Sequence, residues 1–380
     1  MEATIIAAYL RLYHCTGISH QQFSRLLKQA GNITVILDQN DEWLQSLGMD
    51  PGQISMQLRT QGSASMESKI EEDLRWQQSR GNAIVGYESP DYPPLLRTTD
   101  FPPPLLYAIG DSSVLSTVAL GIVGSRKASE YGGRNNAYWM AHELSHAGLL
   151  ICSGMARGID TQAHKGALAA SGATVAVLGT GIDICYPLAN QKLAEQIAVK
   201  GALISDFPLG SPPRANNFPR RNRIISDMSL GTLVVEATAH SVSLITARLA
   251  LEENREVFAF PGSISSQLSR GCHRLIKEGA KLVEEPADIL EELGMKSRGA
   301  ARLESTANST QKNCGAEAPS LNEHEANVMR LIGGNNCLMQ TLLDSSGYSL
   351  QQLNALLLHL EMLGLVRAEG GRFSCTDPAL

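Results

Sequence analysis

Between Val118 and about Leu293, short apolar runs alternate with amphipathic stretches: LGIV, LLIC, TVAVL, ALIS, TLVVEA, EVFAF and KLV. Runs that are apolar at consecutive positions predict strands buried on both faces, and the helical stretches between them predict parallel βαβ units. Right-handed crossovers then bring every strand-to-helix turn to one edge of the sheet, where ligands of such folds bind. Before this region, from Thr4 to about Arg80, apolar residues recur at helical spacing, as in Phe23, Leu26 and Leu27 and again in Trp43, Leu44 and Leu47. Gly17, Gly31 and Pro51 interrupt them. That pattern predicts a helical domain. After it, helical stretches near 322–331, 338–344 and 349–363 precede LVRAEGGRFSC, which reads as strand, glycine turn and strand. Three helices and a hairpin suggest a winged helix, with Ser349 and Gln352 as a capping box and Leu350, Leu353, Leu357 and Leu360 as the buried stripe of its third helix.

The boundaries follow from breaks in these patterns. Residues 1–82 are expected to be the helical domain, and 83–117 a proline-rich connection, because Pro93, Pro94 and Pro102 to Pro104 disfavour helix. Residues 118–295 are expected to form the α/β core. The stretch 296–320, poor in large apolar residues, reads as a flexible linker, and 321–380 as the tail domain.

Composition narrows the function classes. With 43% hydrophobic and 18% charged residues, the chain resembles an ordinary globular protein. The formal net charge is −6, so any attraction for a polyanion must be local. It is local: the segment from Pro212 to Ser226 contains Arg214, Arg220, Arg221 and Arg223 and no acidic residue. Seven cysteines without a CxxC pair suggest reduced thiols in a cytoplasmic protein. A basic n-region with a cleavage site and an apolar run of about 18 residues are both missing, which predicts neither export nor a membrane span.

Candidate chemistry sits in three loops. GIVGSR, Gly121 to Arg126, and LLICSGMARGID, Leu149 to Asp160, each place small residues where an apolar run stops and a helical pattern starts. Backbone N–H groups at a helix N-terminus carry partial positive charge and suit phosphate. Gly124, Ser125 and Arg126 in the first turn, and Ser153, Gly154 and Arg157 in the second, are therefore candidate phosphate contacts, with Lys165 on the following helix. The third loop, NNFPRRNRIIS, adds Arg220, Arg221, Asn222 and Arg223, whose guanidinium groups suit phosphate. Arg126, Arg157 and Arg220 are expected to converge on one rim, and so many cations imply a ligand longer than a mononucleotide.

Other motifs carry less. HELSH, His142 to His146, matches the HExxH zinc helix, but Leu149 and Cys152 stand where the longer motif needs glycine and histidine. GTGIDICYP imitates half of a dinucleotide fingerprint, with Ile184 in place of its third glycine, so NAD binding is not expected. Glu236 could serve as a general base or orient a loop; without a suitable partner the structural role is favoured. His164 reads as a packing residue. The third tail helix lacks arginine and lysine, so the tail suits a protein contact better than DNA.

Read in order, YPPLL, PPPLLYAIGD, GIVGSRKASEYG, SGMARGIDTQAH, GTGIDICYP, FPRRNRIIS, SLITA and FPGSISSQLSRGCHRLIKEGAKLV resemble the DNA-processing protein A (DprA/Smf) family from Tyr92 to Val283. The resemblance implies an extended Rossmann-like parallel sheet core, an N-terminal SAM-like helical domain and a C-terminal winged-helix domain. It implies a cytoplasmic bacterial homodimer without cofactor or catalytic residues, which binds and protects single-stranded DNA and helps load the RecA recombinase in natural transformation and recombination. Binding through phosphates makes that recognition independent of sequence. Dimer and RecA surfaces are implied near the end of the core, around His273, Leu275 and Ile276. The chain departs from the family at Val242, where glycine is usual, at Asp206, where glutamate is usual, and at Leu188 and Ala189, which lack a basic neighbour. The rival readings are a Rossmann-type nucleotide hydrolase of the lysine-decarboxylase-like group, of whose PGGxGTxxE pattern LGTLVVEA is only a fragment, and a pure interaction scaffold, which leaves the arginine loop unexplained.

Overall fold

The structure is a computed structural model that describes residues 3–15, 18–37, 40–47, 64–295, 323–332, 337–362, 365–369 and 372–375. The chain divides into two compact units, Met1–Thr306 and Ala307–Leu380. The first is built on a nine-stranded sheet. Its strands are β1 (Asn82–Gly86), β2 (Leu105–Gly110), β3 (Ala119–Val123), β4 (Leu150–Ser153), β5 (Thr174–Val177), β6 (Ala202–Ser205), β7 (Ser229–Val234), β8 (Glu256–Ala259) and β9 (Lys281–Leu282). Their order across the sheet is β1-β2-β6-β5-β4-β3-β7-β8-β9. From β6 to β9 every pairing is parallel, as the uninterrupted apolar runs predict.

Both faces of the parallel strands are covered, and alternate residues serve each. Leu120, Ile122 and Ile151 pack with the helices Asn135–His146 and Ile159–Ala169. Ala119, Val123 and Cys152 pack with Ile224 and Ile225 of Asn217–Asp227 and with Leu244 and Ala247 of Ser243–Glu252. β3 has β4 on one side and β7 on the other. From β3 the chain builds one side of the sheet through β6, then crosses to start the other at β7. The switch in strand order, where ligands of open α/β sheets bind, thus lies at the end of β3, directly before Gly124.

The proline-rich segment is more than a connection. It supplies β1 and β2, which pair with each other and extend the sheet antiparallel from β6, with Tyr107 opposite Ser205. Proline-free LLYAIG makes the strand, and Pro102 to Pro104 lie just before it.

Nor does the N-terminal helical part stand apart. Its helices, Ala3–His14, His20–Ala30, Ile33–Leu37, Asp41–Ser46 and Ala64–Gln77, share one apolar core with β1 and β2. Tyr9 and Tyr107 are both fully buried there. The Tyr9 hydroxyl accepts from the Glu88 N–H at 3.1 Å, and its ring lies where a side chain at Gly86 would stand. Phe23, Leu26, Leu27 and Leu44 are buried as their spacing predicts. Gly17 and Pro51 lie outside the described residues.

In the second unit, helices Glu323–Ile332, Met339–Ser346 and Leu350–Met362 accompany a three-stranded sheet of β10 (Cys337–Leu338), β11 (Val366–Glu369) and β12 (Arg372–Cys375), ordered β10-β12-β11. This is a winged helix. The capping box forms as read, with Ser349 N–H on Gln352 Oε1 at 3.0 Å and Gln352 N–H on Ser349 Oγ at 3.3 Å. Leu353, Leu357 and Leu360 are buried, whereas Leu350, at the first turn, is exposed. The stretch read as a linker lies outside the described residues.

Candidate functional site

At the carboxyl ends of the parallel strands lies a cavity of about 420 Å³ lined by Arg126, Gly154, Ala156, Arg157, Arg221, Phe218 and the segment Tyr186 to Ala189. Arg126 follows β3, Arg157 follows β4, Tyr186 follows β5, and Phe218 starts the helix Asn217–Asp227, so four connections converge on one point. Below it, a recess of about 40 Å³ shares Arg126, Ala156, Phe218 and Arg221 and is also lined by Gly124, Asp160, Asn222 and Ser243.

The turns that carry the two arginines are built by backbone fit. Gly158 has φ of 81°, and a side chain there would collide with the Ser125 carbonyl of the neighbouring turn. Ser125 Oγ accepts from Lys127 N–H at 3.1 Å, and Ser125 O accepts from Ile159 N–H at 3.2 Å. The two turns are thereby fixed against each other, and Arg126 and Arg157 emerge exposed beside one another's backbone. Neither has a carboxylate within 4.0 Å among the described residues. The Arg126 guanidinium lies 5.4 Å from the Phe218 ring centre, and Phe218 meets Tyr186 at 5.6 Å. Tyr186 is 44% and Leu188 72% exposed, so an apolar, partly aromatic wall stands beside two unneutralised cations.

Beneath this surface, Arg221 is buried. It donates to the carbonyls of Gly154 and Val177, and through Nε to Asn222 Oδ1 at 2.9 Å. It ties the ends of β4 and β5 to the helix. Gly154 is glycine because the Arg221 guanidinium occupies the space of any side chain. Burial lowers the Arg221 pKa to about 10, opposed by the charge of Asp160. Asp160 is itself buried, which raises its pKa, while Arg221 and the N–H groups of Ala156 and Gly154 pull it back down. Its Oδ2 accepts from Gly154 N–H at 3.1 Å and Ala156 N–H at 3.3 Å. The amides expected to await a phosphate in the SGMARG turn are thus already satisfied by an internal carboxylate.

The remaining predicted residues are distributed as follows. Ser153 is fully buried and its Oγ donates to Ile122 O at 2.6 Å, which joins β4 to β3. Asn222 is buried against Arg221. Lys165 is exposed and lines a different cavity, with Lys200 and Gln196. Arg220 and Arg223 do not share the Arg126 cavity either. They line one of about 500 Å³ on the other flank of the helix. There, Arg220 Nε and Nη2 each lie 3.0 Å from Asp206 Oδ2, and Arg223 Nε lies 3.0 Å from Asp227 Oδ2. Residues 220 and 221 are about 100° apart around a helix, so one segment cannot aim all its arginines at one ligand.

Leu275 is buried in the chain's own core and cannot contribute to a contact surface. His273 bonds Gly262 O at 3.0 Å and Ile276 is half-buried, leaving Arg270, Arg274 and Lys277 as the exposed residues of that helix. Glu236 orients a loop: it accepts from Ser129 N–H at 2.9 Å and Ser129 Oγ at 2.5 Å. His142 of the HELSH segment bonds the adjacent Glu143 at 2.8 Å.

The family model for DNA recombination-mediator protein A matches residues 83–294, more than half of the chain, and that for the DprA winged helix domain matches residues 315–372. The chain belongs to the DprA/Smf family. Protein Smf of Escherichia coli (strain K12) is 41% identical over 308 residues, covering 80% of each chain. DNA processing protein DprA of Streptococcus pneumoniae (strain ATCC BAA-255 / R6) is 45% identical over 190 residues, 50% of this chain and 67% of that one. The X-ray structure of DNA processing protein A from Streptococcus pneumoniae superposes with a TM-score of 0.66 at 34% identity, over 77% of this chain and 99% of that one. The DprA fold accounts for both the parallel-rich sheet and the winged helix. Sequence reasoning missed two residues of this DprA-family cavity, Tyr186 and Phe218. Tyr186 was legible as part of GTGIDICYP, a failed dinucleotide fingerprint and one of the family's motifs, with no ligand contact assigned to it, and Phe218 was overshadowed by the arginines beside it.

No helix among the described residues is long and apolar enough to cross a membrane.

Proposed function

We propose that this chain is a cytoplasmic, non-enzymatic protein that binds single-stranded DNA without regard to sequence. It protects incoming strands and, as a homodimer, helps load the RecA recombinase during natural transformation and recombination. The RecA and dimer assignments rest on the family resemblance alone. The binding mode rests on one observation: Arg126 and Arg157, exposed and without a carboxylate partner among the described residues, share a cavity with Tyr186 and Phe218. Guanidinium groups neutralise phosphates while a flanking aromatic face takes any base, which is how proteins bind single strands without reading them. Leaving the Watson–Crick edges free suits transfer to a recombinase. The nucleotide hydrolase reading has less support, because the carboxylate it would use, Glu236, is spent on Ser129.

Fluorescence anisotropy of labelled 20-nucleotide strands across a salt series tests the reading. Tight binding to oligo-dT and mixed sequences alike is expected, with log affinity falling by roughly 0.7 per phosphate contact per log unit of salt. Affinity independent of salt, or preference for duplex, would overturn it.

A further inference from the structure

The turns that lead into the helices Ile159–Ala169 and Gln191–Lys200 frame the Arg126 cavity: Ala156 and Arg157 precede the first helix, Leu188 and Ala189 the second. Asn190 Nδ2 donates to Met155 O at 2.8 Å and to Thr161 Oγ1 at 2.9 Å, which clamps the two helix starts together. Each helix runs from the carboxyl end of one parallel strand to the start of the next, so the groove between them leads from the cavity towards the opposite edge of the sheet. Its far half is a cavity of about 420 Å³, lined by Lys165, Leu168 and Ala169 on one side and by Gln196, Val199 and Lys200 on the other.

The charge along this groove has one sign. Lys192, Gln196 and Lys200 recur every four residues and so share one face of their helix, as Thr161 and Lys165 do on theirs. Lys165, Lys192 and Lys200 are exposed, and none has a carboxylate within 4.0 Å among the described residues. Lys200 Nζ reaches across the groove to Leu168 O at 3.4 Å. The two acidic residues of these helices are held elsewhere. Asp160 is buried and bonded to Gly154 and Ala156. Glu195, about 100° around the helix from Gln196, accepts from Gln191 Nε2 at 3.4 Å. In a chain of net charge −6, three ammonium groups without an opposing acid make a local attraction for a polyanion.

Continuity with the Arg126 cavity decides which polyanion. Lys192 and Lys200 stand eight residues and so about 12 Å apart along their helix, with Lys165 across the groove. A single small anion would engage one of them, whereas a chain of phosphates engages all three. The groove lining contains no aromatic ring, so it offers bases no platform and takes the backbone alone.

We propose that the strand held at Arg126 and Arg157 continues along this groove, with its phosphates on Lys192, Lys165 and Lys200. This rests on the single-strand reading above and adds the route by which the strand leaves the cavity.

Anisotropy of the full-length chain with labelled oligo-dT of about 6 and about 20 nucleotides, lengths that bracket common single-strand sites, reads the route. A double Lys165→Gln, Lys200→Gln variant should bind the short strand as the parent does, within about twofold. It should bind the long strand about tenfold or more weaker, with a salt slope flatter by roughly 1.4. The urea midpoint should stay unmoved, because both side chains are exposed. Lys28→Gln with Lys69→Gln removes the same charge from the N-terminal helices and should leave both strands unaffected. Long-strand affinity and slope unchanged in the groove variant, equal losses for the two lengths, or an equal loss in the Lys28, Lys69 pair would overturn the route. Arg126→Ala tests the cavity on the short strand, so the cavity can stand where the groove fails.

Discussion

The two flanks of the Asn217–Asp227 helix carry the same residue types and opposite electrostatics. On one, Arg126 and Arg157 face a cavity without a carboxylate partner within 4.0 Å among the described residues. On the other, Arg220 meets Asp206 and Arg223 meets Asp227 at 3.0 Å, with Glu253 3.7 Å from Arg223. Between them, Arg221 is withdrawn from both and used as a structural tie. An arginine's availability to a polyanion is therefore decided by carboxylates that other strands deliver. Asp206 arrives from the end of β6 and Glu253 from the end of the Ser243–Glu252 helix, and only Asp227 shares Arg223's own helix.

The comparison breaks first if the open flank does not bind. A double Arg126→Ala, Arg157→Ala variant removes two charge-assisted contacts, each worth roughly 1.5–3 kcal/mol, so oligonucleotide affinity should fall by two orders of magnitude or more. The salt slope should flatten by roughly 1.4, while the denaturant midpoint stays within error because both side chains are exposed. Next in size is Arg221→Met. It leaves the Gly154 and Val177 carbonyls and Asp160 without their cation, and removing one side of a buried charged network costs roughly 3–5 kcal/mol. Urea unfolding should show that loss. A DNA defect without a stability loss would mean that Arg221 acts as a ligand contact instead.

These cases separate what the sequence revealed from what it did not. The buried strands, the switch point and the glycine turns were legible because they depend on local pattern: LGIV and LLIC became β3 and β4, and Gly158 does take a positive φ. The winged helix was legible for the same reason, through its capping box and leucine stripe. The proline-rich segment misled because prolines mask a short strand whose other residues are ordinary: Pro102 to Pro104 stand just before β2 and leave the N–H groups of its ladder in place. The individual roles of Arg220 and Arg221 were illegible because each depends on partners outside its own helix, which for Arg220 means Asp206, 14 residues away. For Arg221 these are Gly154 and Val177. Asp160 was invisible as a cap because its amide partners precede it in a turn whose glycines look poised for phosphate.

Smaller effects sharpen the contrast through pH. Burial pushes the Asp227 carboxyl up to about 7, despite Arg223. Its folded-state pKa exceeds the unfolded value, so the native state binds a proton more tightly. Asp227 therefore takes stability away as pH rises from about 4 to about 7, by at most ~1.4 kcal/mol per pH unit. The stability of Asp227→Asn relative to the parent should rise across that window and level off above it. His164 works in the opposite sense. Its Nδ1–H donates to Thr174 Oγ1 at 2.8 Å, because the Thr174 hydroxyl hydrogen is given to Ile151 O. Burial lowers its pKa to about 3, so it withdraws stability as pH falls from about 6.5 towards 3. A difference between Asp227→Asn and parent that is flat in urea titrations from pH 4 to 7 would mean that Arg223 neutralises Asp227 more fully than its burial implies.

The smallest expected change is the one that most directly tests the neutralised flank. Arg220 has a side chain 48% exposed, and from sequence alone it is as good a phosphate ligand as Arg126. Both of its bonds to Asp206 would have to break, or share the guanidinium, before it could reach a strand, and breaking them would leave the buried Asp206 carboxylate uncompensated. Arg220→Gln should therefore change oligonucleotide affinity by less than about fivefold and leave the salt slope unaltered, in the range of an exposed ion pair worth ~0–1 kcal/mol. A slope that flattens by roughly 0.7 would show Arg220 contacting a phosphate after all. The two flanks would then form one continuous track around the helix, and Asp206 would act as a gate on that track instead of a permanent partner.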